Sequence, residues 1–230
     1  MRIYRVPDRI HAFLLDIDGT LYTHPEYVRF QSECLIRELA LTRGSSYEEC
    51  LALVNRVRAD YAAANDGATT SLGNIMARLG IPIATSIAWR SRLIVPSCYL
   101  STDTVLRQAL VALQTLASPP GTPGDSGTTR ISLVAVTNNP RSVGVATLEA
   151  LGVEDLFLRV VGLDDTMQSK PAEEPYRLAA SIAGVSNTSC VSIGDRYDVD
   201  LAVPLKLGMG AILVDGVQDL YALPGALALA

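Results

Sequence analysis

The 230-residue sequence contains no CxxC pair; its four cysteines (Cys34, Cys50, Cys98 and Cys190) stand at wide, irregular spacings. That excludes a disulfide framework and a thiolate zinc site and leaves buried, reduced thiols. Histidine is equally scarce, and neither His11 nor His24 has a partner at ligand spacing. A basic excess is missing too. Nineteen Lys and Arg face 24 Asp and Glu, a formal charge of −5, whereas a dedicated nucleic-acid binder carries a basic face. Long apolar runs are absent, since those present are strand-length and too short to span a bilayer. The opening MRIYRVPDRI interleaves Arg and Asp with its apolar residues, so no signal-peptide apolar region forms. A cytoplasmic chain with no membrane or nucleic-acid partner is expected. What the sequence does have is 49% hydrophobic and only 19% charged residues, enough for a sizeable core and incompatible with a wholly disordered chain.

Four short aliphatic runs end in polar residues or Gly: Ala12 to Leu15, Ile131 to Val136, Val191 to Ile193 and Ala211 to Val214. Such runs suit strands covered on both faces. Phe157 to Gly162 adds a further candidate. Helical patterns at Ala146 to Leu151, Tyr176 to Ala183 and Leu201 to Leu207 alternate with them, which predicts βαβ crossovers and a doubly wound, Rossmann-like α/β core. Ser101 to Asp103 can cap a helix through Leu106, Leu110, Leu113 and Leu116, and the turn-rich SPPGTPGDSGTTR that follows reads as a surface loop.

Residues 22–96 read differently. Tyr27 to Leu41 has helical spacing, Ser46 to Glu49 has the form of a capping box, and Cys50, Val54, Val57 and Tyr61 continue along one face. Thr70 or Ser71 opens a third helix ending at Gly80, and Thr85 or Ser86 a fourth. The expected division is a core of residues 1–21 and 97–230 with a small helical domain, 22–96, inserted after the first core strand.

In FLLDIDGTLY the apolar run stops at Asp16 and Asp18 follows two residues later. Side chains at i and i+2 of extended backbone leave on the same side, and Gly19 permits a sharp turn. Two carboxylates then sit beyond the carboxyl end of a strand, where open α/β sheets keep their ligand crevices. Close like charges call for a cation, a shared proton or a catalytic use. Three other segments end or begin elements in a similar way. Thr137, Asn138 and Asn139 follow the second run, ready for phosphate oxygens ahead of a helix. Lys170 and Pro171 precede another helix, with Pro171 suited to its first turn. Gly194 and Asp195 end the Val191 run, with Asp198 and Asp200 in the next turn, where helix capping competes with a metal role. Carboxylates of this kind are hard oxygen donors suited to Mg²⁺.

Taken in order, DIDGT, TNN, KP and GDRYDVD resemble the four motifs of the haloacid dehalogenase superfamily of phosphotransferases, and the 22–96 insertion resembles its helical cap. DIDGTLY is also reminiscent of the pyrimidine 5′-nucleotidase-like branch. The resemblance implies Asp16 as nucleophile, Asp18 as general acid and base, Thr137 and Asn138 as holders of phosphate oxygens, and Lys170 as the cation that offsets charge on the phosphoryl group and Asp16. It implies Mg²⁺ between Asp16, Asp195 and the backbone carbonyl of Asp18, with Asp200 favoured over Asp198 for a secondary metal role. The activity implied is a Mg²⁺-dependent phosphomonoester hydrolase, passing through an aspartyl-phosphate, on a small phosphorylated metabolite such as a nucleotide or sugar phosphate. A sugar phosphomutase and a non-catalytic binding protein of the same family are the alternatives, and a monomer or homodimer is expected. Outside the motifs, His11 reads as structural and His24 as either structural or a hinge residue meeting substrate. Arg141 reads as a solvated helix start, with a substrate contact as the alternative, Arg196 as solvated, Trp89 as core, and the terminal PGALALA as a packing segment or frayed tail.

Overall fold

The computed structural model describes residues 1–116 and 130–228. Its strands are β1 (Arg2–Arg5), β2 (Ala12–Leu15), β3 (Ser132–Val136), β4 (Arg159–Val161), β5 (Cys190–Gly194) and β6 (Gly210–Leu213). They form one sheet in the order β1-β6-β5-β2-β3-β4, parallel throughout except for the antiparallel β1–β6 pair. The doubly wound α/β core expected from the sequence is therefore present, with an antiparallel edge strand that the sequence reading did not contain. RIYR has no aliphatic run, and as an edge strand it needs none, for all four of its residues keep some exposure.

β2 lies at the centre, and all four of its residues are buried. Its odd residues, Phe13 and Leu15, enter one apolar cluster and its even residues, Ala12 and Leu14, enter the other. This two-residue alternation is why an unbroken apolar run is needed where helices cover both faces. In register, Leu15 lies opposite Ala135 of β3 and Ile193 of β5, so these three central strands end side by side.

Among the described residues ten α-helices accompany the sheet: α1 (Pro25–Arg43), α2 (Tyr47–Ala64), α3 (Leu72–Arg78), α4 (Ile83–Leu93), α5 (Thr104–Gln114), α6 (Arg141–Leu151), α7 (Leu163–Thr166), α8 (Glu174–Ala183), α9 (Ala202–Lys206) and α10 (Val217–Ala228). The first four occupy the 22–96 stretch. The Ser46–Glu49 capping box forms, with Glu49 N donating to Ser46 Oγ at 3.2 Å and Ser46 N to Glu49 Oε2 at 2.9 Å. Ser71 caps α3 and Asp103 caps α5. The inner faces of α1 to α4 contribute Tyr27, Leu35, Val54, Met76 and Trp89 to the same cluster that holds Phe13 and Leu15.

Several boundaries differ from the sequence reading. α4 starts at Ile83 after Pro82, so Thr85 and Ser86 lie inside it, and Ser86 is buried. α6 starts at Arg141, the residue read as a helix start, and runs through the Ala146 to Leu151 pattern. Pro171 does not enter the first turn of α8; Ser169 to Ala172 form a separate turn, and Pro175 takes that position. The expected helix Leu201 to Leu207 is α9, within one residue at each end, and a π-helical turn (Tyr197–Leu201) that the sequence did not show precedes it. Pro224 to Ala228 belong to α10, with Leu227 packed on the core, which answers the frayed-tail alternative for those residues. The loop expected at 118–130 falls, apart from Arg130, outside the described residues. No helix among the described residues is long and apolar enough to cross a membrane.

Candidate active site

The ends of β2, β3 and β5 bring the acidic segments together. Asp16 follows β2, its backbone N–H donating to the Ile193 carbonyl at 2.9 Å, and its carboxylate is buried. The chain then turns sharply at Gly19, whose φ is +85°. A Cβ at this position would fall 2.5 Å from Asp195 Oδ2, so both the backbone angle and the neighbouring carboxylate require glycine. β5 ends at Gly194 under a similar constraint, since a Cβ there would lie 2.4 Å from Asp200 Cβ. Oxygens of Asp16, Asp195 and Asp200 all lie within 4.8 Å of one another.

Lys170 holds this cluster. Its side chain is 1% exposed, and its Nζ donates to Asp16 Oδ1 at 2.5 Å, Asp200 Oδ1 at 2.7 Å and the Val136 carbonyl at 2.8 Å. All three ammonium protons are thus used. Lys170, expected beside Asp16, is thus a buried bridge between two carboxylates, Asp16 and Asp200. Asp200 is fixed further, its Oδ2 accepting from Arg196 N at 3.1 Å and its carbonyl from Ser192 Oγ at 2.8 Å. Burial pushes the Asp16 carboxyl up to about 7; Lys170 opposes the rise, and the neighbouring acids Asp200, Asp195 and Asp18 add to it. Asp195 is pushed up to about 6, by burial first and then by Asp200. Burial works to lower the Lys170 ammonium, but Asp16 and Asp200 outweigh it and hold the group above its ordinary value. Asp195 Oδ1 is buried without a hydrogen-bond partner among the described residues. An orphaned carboxylate oxygen beside two further hard oxygen donors is the set a Mg²⁺ ion takes.

Asp198 lies elsewhere. Its Oδ2 accepts from the backbone N–H of Thr69, just ahead of α3, at 3.1 Å. Asp18 is also outside the three-carboxylate cluster and sits in a polar network. Its Oδ1 accepts from Tyr22 Oη at 2.5 Å and Gln31 Nε2 at 2.8 Å, and its Oδ2 from Asn139 Nδ2 at 2.9 Å. Asn139 Nδ2 also donates to Gln31 Oε1 at 2.8 Å, and Asn139 Oδ1 accepts from Arg90 Nη1 at 2.8 Å. Thr137 is buried, its Oγ1 accepting from Asn139 N at 3.1 Å. The Asn138 side chain is spent on Lys170, accepting from Lys170 N at 2.7 Å and donating to its carbonyl at 3.4 Å. No described hydrogen bond uses the Asn138 backbone N–H.

A cavity of about 200 Å³ opens onto Asp18, Asn138, Asn139 and Asp195, and a wider cleft of about 630 Å³ reaches Gly19 and Asp195 from the side of α1 and α2. His24 lines the wider cleft while its Nδ1 caps α1, accepting from Tyr27 N at 3.2 Å. Arg141 is an exposed helix start whose N–H donates to Asp164, and Trp89 packs in the core. Arg196 is exposed, as expected, and also borders the smaller cavity. Tyr22, Gln31 and Arg90 were missed from the sequence. A polar Gln31 one turn after buried Tyr27, on the inner face of α1, is the one local signal that could have pointed to the network.

A family model for haloacid dehalogenase-like hydrolases matches residues 10–208. The phosphoglycolate phosphatase of Salmonella paratyphi A (strain ATCC 9150 / SARB42) is 37% identical over 73 residues, 31% of this chain and 29% of that protein. The match thus spans less than a third of that relative's length. Among solved structures, a HAD phosphatase from Thermococcus onnurineus has the same fold (TM-score 0.56, 19% identity, 95% of this chain and 98% of that one). So does a putative HAD-hydrolase from Bacillus subtilis, solved bound to magnesium (TM-score 0.56, 16% identity, 94% and 99%).

Proposed function

The chain belongs to the haloacid dehalogenase-like hydrolase family, and we propose that within it this protein is a Mg²⁺-dependent phosphomonoester hydrolase acting on a small phosphorylated metabolite. The observation that carries the reading is Lys170, buried and bonded to both Asp16 and Asp200, beside an Asp195 oxygen that has no hydrogen-bond partner among the described residues. A carboxylate cannot approach a phosphate dianion unless cations offset both charges. Lys170 supplies one such charge. Asp16, Asp195 and Asp200 would hold Mg²⁺, joined by the backbone carbonyl of Asp18, and the ion would supply further neutralisation of phosphoryl oxygens.

An Asp16 oxygen attacks phosphorus, and the bond from phosphorus to the leaving oxygen breaks as Asp18 gives that oxygen a proton. Asp18 then takes a proton from water, which attacks the aspartyl-phosphate and releases inorganic phosphate and free Asp16. Tyr22, Gln31 and Asn139 orient Asp18 by donating to it. Thr137, whose hydroxyl fixes the turn, and the Asn138 backbone N–H hold phosphoryl oxygens. Residues 22–96 act as a helical cap, because Gln31 and Arg90 reach the Asp18–Asn139 network from that side.

The test is phosphate release from nucleotides, sugar phosphates and phosphorylated acids, with and without Mg²⁺, for the wild type and Asp16→Asn. Expected are Mg²⁺-dependent turnover by the wild type and none by the variant, with an unchanged circular dichroism spectrum. Turnover retained by Asp16→Asn refutes the nucleophile.

A further inference from the structure

Arg90 has a chemistry that the proposed reaction does not use. It sits on α4, 7% exposed, with Nη1 donating to Asn139 at 2.8 Å and Nε to Ser86 Oγ at 3.5 Å. Among the described residues Lys170 and Arg196 each stand beside carboxylates, whereas Arg90 has none within ion-pair reach. Burial pulls its guanidinium down to about 10, with Asp18 opposing the fall. A buried cation without an anion beside it is costly, so a site that keeps one has a use for it. No described hydrogen bond uses Nη2, and the residue lines the 200 Å³ cavity that also opens onto Asp18, Asp195 and the Asn138–Asn139 turn.

We propose that Arg90 receives a carboxylate carried by the leaving group, so that the enzyme selects small phosphorylated hydroxy acids. The proposal rests on the phosphomonoester hydrolase reading and adds the class of leaving group. Size supports it: the cavity must hold the phosphoryl group as well, which leaves room beside Arg90 for a few carbon atoms. Charge supports it too. Asp18 and Asp195 line the same cavity, so a second dianion meets more repulsion there than a single carboxylate. The guanidinium edge left free by Asn139 matches a carboxylate in geometry. Arg90 thereby links two tasks, setting the Asn139 side chain that contacts Asp18 and reading the substrate's second charge.

The test compares turnover of 2-phosphoglycolate, 2-hydroxyethyl phosphate and ethanediol bisphosphate, and in parallel calorimetric binding of 3-phosphonopropionate and 3-hydroxypropylphosphonate, which need no turnover. The wild type should favour the carboxylate member of each set by about 10²-fold or more, because the neutral member leaves the guanidinium unpaired. Arg90→Met should bring the phosphonate ratio to within about threefold, and Arg90→Lys should recover part of it, a rescue that a purely packing role does not produce. Equal wild-type binding of the two phosphonates, preference for the bisphosphate, or equal losses for both phosphonates in Arg90→Met would each overturn the proposal. A wild type that binds 3-phosphonopropionate preferentially yet hydrolyses no ester removes the hydrolase reading and leaves the carboxylate site standing.

Discussion

Replacing Lys170 by methionine keeps most of the side-chain volume and removes the one cation that joins Asp16 to Asp200. Three hydrogen bonds go with it, at 2.5, 2.7 and 2.8 Å, leaving two carboxylates and the Val136 carbonyl buried and unpaired on that side. Removing one partner of a buried ion pair costs about 3–5 kcal/mol. For a chain of this size that corresponds to a Tm lower by roughly 6–20 °C. The loss depends on pH, and its sign follows from the direction of the Asp16 shift. Asp16 is already raised to about 7 although Lys170 opposes the rise, so removing Lys170 raises it further. An acid whose folded pKa lies above its unfolded value holds a proton in the folded state that the unfolded chain has released. Stability then falls as pH rises through that window. Lys170→Met should therefore lose less stability near pH 5, where Asp16 is protonated but Asp200 and the Val136 carbonyl still lack their partner, than near pH 8. Thermal unfolding in EDTA at the two pH values measures both. A Tm at pH 8 within about 2 °C of wild type would show that Lys170 does not carry the charge balance of the cluster.

The same cluster yields further expectations. Asp200→Asn should raise the Mg²⁺ concentration needed for half-maximal activity by at least tenfold, whereas Asp198→Asn, whose carboxylate faces the Thr69 backbone, should leave it within about twofold; Mg²⁺ titration of phosphate release separates them. Gly194→Ala places a Cβ 2.4 Å from Asp200 Cβ, which should cost about 1–3 kcal/mol in urea unfolding and weaken Mg²⁺ activation by displacing Asp200. In metal-free protein the raised Asp16 and Asp195 carboxyls, at about 7 and about 6, should make Tm rise as pH falls from 8 to 6. Added Mg²⁺, which competes with those protons, should stabilise more at pH 8 than at pH 6, and the reverse order in a melting series would contradict a carboxylate-held ion.

The central strands were legible because burial on both faces demands aliphatic runs, and AFLL, SLVAV and CVSIG supply them. β1 was not, because an edge strand packs on little and RIYR shows no comparable run. The start of α6 at Arg141 was legible from the polar Thr137–Asn139 turn ahead of it, although Pro140 offers no side-chain acceptor to cap the helix. Pro171 misled. It is a good first-turn residue, but so is Pro175, and the turn at Ser169 to Ala172 separates them. In the site, Asp16, Asp18 and Asp195 could be placed because each follows an apolar run where a strand ends. That Asp200 rather than Asp198 joins the carboxylates depends on the π-helical turn, which spacing alone does not reveal. The burial of Lys170 and the reach of Arg90 are tertiary facts. Lys170 meets Asp16 across 154 residues and Arg90 meets Asn139 across 49, separations at which no local pattern operates.

The antiparallel strand laid along β6 changes how the sheet meets other chains. Without it, β6 would offer a buried, aliphatic rim of unpaired amides and carbonyls to any extended peptide. With it, one border is β1, irregular in register between Ile3 and Arg5 and flanked by two arginines, and the opposite border is β4, three residues long. Neither gives a long flat template for strand addition, so these borders resist stacking of one molecule on another at high concentration.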